Sequence, residues 1–200
     1  ISSETMRQRI DSGLVQELGI DKGMNIEQLV ALHPDLVMGY TLTGNQGQFK
    51  KIEEFGISTV INAEYLEKHP LGRAEWIKFM ALFFNKEETA DSVFRMIEQE
   101  YQETKTLAGE STERPTVLSG IVYGDAWFLP GGRNYGASLF EDAACNYLWS
   151  NTESNGFLQL SFETVYEKAH AADLWIGVGS FESHNEIQNA DARYAKFKAF

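Results

Sequence analysis

The stretch from Pro70 to Ala108 constrains this chain most, because it keeps helical period throughout while strand-like segments lie on both sides of it. Pro70 opens it, since proline is tolerated in a first helical turn, and Trp76, Ile77, Phe79, Met80, Phe83 and Phe84 follow at three- and four-residue spacings. So many large apolar groups predict a buried helix. Asn85 stands where it would cap a second helix, with Glu88 in the capping-box position and Glu87 near the positive end of the dipole. Beyond it Ala90, Val93, Phe94, Ile97, Tyr101, Thr104 and Ala108 form one stripe, and Glu98, Gln99, Gln102, Glu103 and Lys105 fall on the other faces. Gly109 is expected to stop this helix, ahead of a polar loop from Glu110 to Glu113. An amphipathic surface helix is one reading of the pattern. A rigid strut of roughly 35 Å joining two lobes is the other.

Before the strut, helix and strand alternate. A short helical pattern runs from Met6 to Leu18 and ends in turn-prone Gly19 and Gly23. Asn25 then caps a helix carrying Ile26, Leu29, Val30 and Leu32; Pro34 ends it, and Asp35 leads into the strand Leu36–Val37–Met38. A polar turn from Thr41 to Gly47 precedes a helix near Gln48 to Phe55, and Gly56 breaks it before the strand Ser58 to Ile61. After the strut come Pro115, a strand from Thr116 to Ser119, an apolar run Ala126–Trp127–Phe128–Leu129 and the sharp turn Pro130–Gly131–Gly132. A helix is predicted from about Ala137 to Trp149, another after Ser161 with Phe162, Val165, Tyr166 and Ala169, then a strand Leu174–Trp175–Ile176 and a polar tail helical near Asp191 to Phe197.

Two of these segments match. Asn25-x-Glu27-x-Leu29–Val30 leads to Asp35–Leu36–Val37–Met38–Gly39, and Ser161-x-Glu163-x-Val165–Tyr166 leads to Asp173–Leu174–Trp175–Ile176–Gly177. Each is cap, helix, Asp-Leu, strand, Gly. On opposite sides of a rigid helix, the pair predicts two similarly built α/β lobes with mainly parallel sheets and a cleft between them, where ligands bind near strand ends. The boundaries read as residues 1–70 for part of the first lobe, 71–109 for the helical segment and 114–200 for part of the second lobe.

Composition narrows the function classes. A net charge of −12 with no Lys/Arg cluster argues against nucleic acid or an anionic membrane surface as partner. Cys145 is the single cysteine, set in the apolar run Ala143–Ala144–Cys145, and reads as a buried structural thiol. No run of 18 apolar residues offers a membrane span. The chain starts at Ile1 and ends mid-pattern at Lys196–Phe197–Lys198–Ala199–Phe200, so it reads as a fragment, and a signal or lipid anchor is not legible from it.

The run Gly23–Met24–Asn25–Ile26–Glu27–Gln28–Leu29–Val30–Ala31–Leu32–His33–Pro34–Asp35–Leu36–Val37 resembles the signature of the helical-backbone, class III substrate-binding proteins of ABC importers. The likeness continues through Gly56–Ile57, Leu71 to Trp76, the strut, and Pro130 to Tyr147, most of the chain. The resemblance implies capture of an iron-siderophore, heme or cobalamin-type ligand and its delivery to a permease in the inner membrane. It further implies a monomer, periplasmic or at the outer face of the cytoplasmic membrane, either free or as a lipoprotein, with no cofactor of its own. Each lobe would then hold more strands than this sequence shows.

An enzyme is the competing class. His33, His69, His170 and His184 lack metal-ligand spacing, no Gly-x-Ser-x-Gly elbow exists, and Gly131–Gly132 with Gly136 lacks the residues of a phosphate loop. Glu141 and Asp142 are adjacent on a predicted helix and point apart. A surface interaction or sensor protein on the same fold would need an exposed apolar patch. The expected ligand residues are Tyr40 and Tyr65 on one wall and Tyr123, Trp127, Arg133 and Tyr135 on the other, the rings offering flat apolar area and Arg133 a fixed charge. Related binding proteins dock on the permease through one carboxylate per lobe. Glu182 or Glu186 fits the second lobe, whereas the first-lobe turn Gly44–Asn45–Gln46–Gly47–Gln48 carries no acid and leaves Glu53 or Glu54 to substitute.

Overall fold

The computed structural model describes residues 3–19, 24–40 and 46–200, in two compact units that divide between Ala63 and Glu64. The first unit opens with helix α1, Glu4–Asp11, capped by Ser3, whose Oγ accepts from Met6 N at 3.3 Å. It is shorter than the predicted Met6 to Leu18, because Ser12 and left-handed Gly13 (φ 73) turn the chain. Helix α2, Ile26–Leu32, is capped as expected: Asn25 Oδ1 accepts from Gln28 N at 3.0 Å. His33 ends it in the left-handed region, just before Pro34. Strand β1, Leu36–Gly39, helix α3, Gln46–Glu54, and strand β2, Ser58–Ile61, form a β-α-β crossover with β1 and β2 parallel, Leu36 opposite Ser58 and Gly39 opposite Ile61. Gly39 lets the Phe49 ring of α3 approach, since a Cβ would lie 2.9 Å from it. Leu29, Ile52 and Ile57 are the buried core of this unit. Gly23 and most of the expected turn, Thr41 to Asn45, lie outside the described residues.

The second unit begins with a 3-10 turn, Glu64–Leu66, and a helical pair, α4 (Pro70–Leu82) and α5 (Glu87–Glu110). At 24 residues α5 is about 36 Å long. Three features differ from expectation. Helix α4 buries only Pro70, Leu71 and Ala81, and Ile77, Met80, Leu82, Phe83 and Phe84 at its far end stay exposed, so it is not the buried helix its composition predicts. Asn85 is no cap: it takes φ 51 to reverse the chain, and Lys86 occupies the cap position without a side-chain bond. Gly109 does not stop α5, which runs on until Ser111 turns extended.

After α5 the chain builds two three-stranded sheets. Strands β3 (Thr116–Ser119), β6 (Asn146–Tyr147) and β8 (Leu174–Ile176) pair in parallel in the order β6-β3-β8. Strands β4 (Ile121–Tyr123), β5 (Ala126–Pro130) and β7 (Phe157–Leu160) pair antiparallel in the order β4-β5-β7. Helix α6, Tyr135–Asp142, is shorter than the predicted Ala137 to Trp149, because left-handed Ala144 (φ 58) ends it and releases Asn146 and Tyr147 into β6. Cys145 lies in that link, half-buried. Helix α7, Phe162–Ala169, is capped by Ser161 through Thr164 N at 3.1 Å and feeds β8, the same cap, helix and strand order as α2 and β1. Helix α8, His184–Ala190, and a 3-10 turn, Ala192–Lys196, complete the chain, a broken pair in place of the predicted helix from Asp191 to Phe197. Val117, Leu118, Trp127, Leu129, Val165 and Tyr194 are at the centre of the core of this unit.

Candidate functional site

The turn between β5 and α6 is held more tightly than a surface loop needs to be. Gly131 N donates to Gly156 O (2.9 Å), Gly132 N to Thr152 Oγ1 (2.7 Å), Arg133 N to Ser154 O (2.9 Å) and Asn134 Nδ2 to Asn155 O (3.1 Å). Glycine is required at 131 and 132, since a Cβ on either would run into the backbone of the segment from Ser150 to Ser154. Asn134 then caps α6, accepting from Gly136 N at 2.9 Å. The rigid turn presents Arg133 and Tyr135, two of the predicted ligand residues. Arg133 is exposed and paired with Glu153, itself exposed, an ion pair that water weakens and a ligand can displace.

Tyr135 is not isolated. The guanidinium of Arg73, from the first turn of α4, lies over its ring at 5.0 Å from the centroid. Arg73 Nε donates to Glu64 Oε2 at 2.5 Å and Nη2 to Glu64 Oε1 at 3.4 Å, so the 3-10 turn that carries Tyr65 is tied into the same cluster. The bond to Glu64 raises the proton affinity of Arg73, against the opposing effect of partial burial. Arg73 keeps 39% side-chain exposure, so a cation, the Tyr135 ring and a carboxylate share one accessible patch. Composition and spacing gave no signal for Arg73: its partners stand nine residues before it and sixty-two after it, a link only the fold makes.

The α5–α6 contact backs this patch. Tyr101 OH donates to Asp142 Oδ2 at 2.5 Å and Lys105 Nζ bonds Oδ1 at 2.6 Å. Burial, then the Asp142 carboxylate, pushes the Tyr101 hydroxyl far above its ordinary value; for Asp142, burial raises the pKa but the bonds to Lys105 and Tyr101 outweigh it and leave the carboxyl below the usual range.

The remaining predicted residues stand on other elements. Tyr123 ends β4 with 79% exposure, its ring edge-on to Phe128 at 6.1 Å on the outer face of the antiparallel sheet. Phe157, two-thirds exposed on β7, is a further aromatic of that sheet which its short Phe-Leu-Gln-Leu run had not announced. Tyr40 follows β1 in the first unit with 56% exposure. Trp127 is corrected: it has no exposed surface, its Nε1 donates to Ser119 O at 2.9 Å, and its ring packs on Phe162, Trp175, Tyr194 and Phe197. Adjacent strand residues face opposite ways, so Phe128 took the outer position and Trp127 the core.

Of the docking carboxylates, Glu54 ends α3 and is exposed, whereas neighbouring Glu53 accepts from Thr59 Oγ1 at 2.5 Å. Glu186 Oε2 accepts from Glu182 N at 3.0 Å, beside the Ser183 cap of α8, so Glu186 is engaged in capping the start of its own helix while the Glu182 carboxylate is exposed. Gly44 and Asn45 of the first-lobe turn lie outside the described residues.

The profile of the periplasmic binding protein family matches residues 2–199. The chain belongs to the periplasmic binding protein family. Among curated relatives, two uncharacterized lipoproteins of Methanocaldococcus jannaschii are 28% identical over 94% of this chain and 45% of their own length, and 26% identical over 99% and 52%. The chain therefore spans about half the length of those relatives. Among solved structures, the periplasmic heme-binding protein HutB of Vibrio cholerae superposes with a TM-score of 0.75 at 18% identity, covering 94% of this chain and 73% of that one. The vitamin B12-binding protein BtuF of the same organism gives a TM-score of 0.65 at 17% identity over 98% and 73%. At such identities the likeness establishes the fold. It agrees with the α/β architecture, parallel sheets and long helix read from the sequence. Among the described residues of this periplasmic binding protein no helix is long and apolar enough to cross a membrane.

Proposed function

We propose that this periplasmic binding protein is the substrate-binding component of an ABC importer, capturing a metal chelate of the heme, cobalamin or ferric siderophore class and delivering it to a membrane permease. The observation that carries the reading is the family match across residues 2–199. Similar solved structures include proteins that bind heme and vitamin B12, which supports the ligand class. On this chain the ligand meets the rigid turn of Arg133 and Tyr135; Tyr65, Tyr123 and, in the first unit, Tyr40 are the further aromatic candidates. Flat rings suit a macrocycle or catecholate, and Arg133 suits an anionic substituent. Glu182 in the second unit and Glu54 in the first are the docking carboxylates, with Glu186 a second candidate. The names of the curated relatives support a lipid-anchored protein at the outer face of the cytoplasmic membrane.

Calorimetric titration of the full-length protein with heme, cobalamin and a ferric siderophore tests the reading. One of the three is expected to bind with a Kd of micromolar or below, and Arg133→Ala to weaken it. Absence of binding by all three, in a folded protein, counts against the proposal.

A further inference from the structure

Two cations of the second unit share a design: each is held by a carboxylate that leaves it accessible. Arg133 pairs with Glu153, and Arg73 with Glu64. In Arg73 the Nε and Nη2 atoms serve Glu64 and one face of the guanidinium lies on Tyr135, while Nη1 has no partner among the described residues. A guanidinium is permanently charged and offers donors in a planar fork, so the free end is shaped for a second carboxylate or similar oxyanion. Tyr135 fixes the plane of the fork and Glu64 fixes its edge, so the donor is oriented before any ligand arrives.

We infer that Arg73 is a specificity-determining residue of this site, which selects a chelate bearing a carboxylate group, and that Glu64 is its resident counter-ion. The inference rests on the reading that this face receives the ligand. Glu64 is what makes the arrangement selective. Against a neutral ligand Arg73 stays neutralised and contributes nothing; an anionic ligand competes for the guanidinium and gains a preoriented bidentate partner. Removing Glu64 therefore leaves that cation without a competitor and tightens an anionic ligand, whereas removing Arg73 weakens it.

The test compares ferric protoporphyrin IX with its dimethyl ester, in which both carboxylates are blocked, on the full-length protein and on the Arg73→Gln and Glu64→Gln variants. Arg73→Gln is expected to weaken the free acid about tenfold and the diester less than twofold, and Glu64→Gln to tighten the free acid with the diester unchanged. A Gln variant that lowers thermal stability but weakens both compounds equally, or neither, overturns the inference and assigns the cluster to joining α4 and α6. If the wild type binds neither porphyrin, a citrate-type ferric chelate and an uncharged ferric hydroxamate replace them. Preference for the hydroxamate then overturns the inference while the proposed function stands, and binding of none of the four compounds removes the proposed function itself.

Discussion

Replacing Trp127 separates a core role from a ligand role. The side chain is wholly buried among Phe162, Trp175, Tyr194 and Phe197, with ring centroids 5.3–5.9 Å away, and its Nε1 satisfies the carbonyl of Ser119. Truncation to Ala leaves a large cavity, and changes of this kind cost about 3–5 kcal/mol. The Ser119 carbonyl loses its donor as well, a buried orphan that adds on the order of 1 kcal/mol. With a urea slope of about 2 kcal/mol/M for a unit of this size, a loss of about 5 kcal/mol moves the unfolding midpoint by about 2.5 M. Trp127→Phe keeps a ring in the cluster but not the hydrogen bond, and is expected to shift it by about 0.5–1 M. All four tryptophans lie in the second unit, so fluorescence reports its unfolding specifically. Unchanged midpoints in both variants, with ligand affinity lost, would refute the core assignment and restore Trp127 to the ligand face.

Further outcomes are expected from the same geometry. The Asp173 carboxyl is held well below the usual range by Lys198 Nζ (2.7 Å) and by the Thr116 amide (3.0 Å) and hydroxyl (2.7 Å). A depressed folded pKa stabilises above the unfolded value near 3.9 and the benefit fades as pH falls below it, so Asp173→Asn should flatten the fall of urea midpoints between about pH 4 and pH 2; an unchanged slope sinks the assignment. Ser161→Ala removes the cap of α7 and should cost about 1 kcal/mol by chemical denaturation, with ligand affinity preserved. Gly132→Ala forces a Cβ into the carbonyls of Ser150 and Thr152, and should lower both thermal stability and ligand affinity, since it displaces the turn that carries Arg133. In cells, Glu182→Lys should reduce uptake while binding to the purified protein persists; normal uptake would return Glu182 to the ordinary surface.

The sequence disclosed the parts of the fold that depend on local pattern. The caps at Asn25 and Ser161, the Pro34 stop and the long stripe of α5 each have a physical cause within a few residues, and each formed close to where that cause stands. The misses have causes at a distance. Helical period runs from Ala137 through Tyr147, and nothing local marks the left-handed turn at Ala144 that hands Asn146 and Tyr147 to β3 for pairing. Strands β4 and β7 are three and four residues long and owe their existence to β5 between them. The far end of α4 reads as core because its residues are apolar, but burial needs a neighbour as well as a hydrophobic side chain. At the candidate site, the turn that carries Arg133 and Tyr135 was legible because Pro130–Gly131–Gly132 is turn chemistry, and it formed there. Arg73 was not, because its significance comes from Glu64 and Tyr135.

The central claim is that a metal chelate is held by the face built from Arg133 and Tyr135, and native mass spectrometry of the full-length protein against an equimolar mixture of heme, cobalamin and a ferric siderophore tests it most directly. The account predicts a single one-to-one adduct with one of the three, lost when Arg133→Ala and Tyr135→Ala are combined. No adduct in the folded wild-type protein, or an adduct of equal abundance in the double variant, would contradict it.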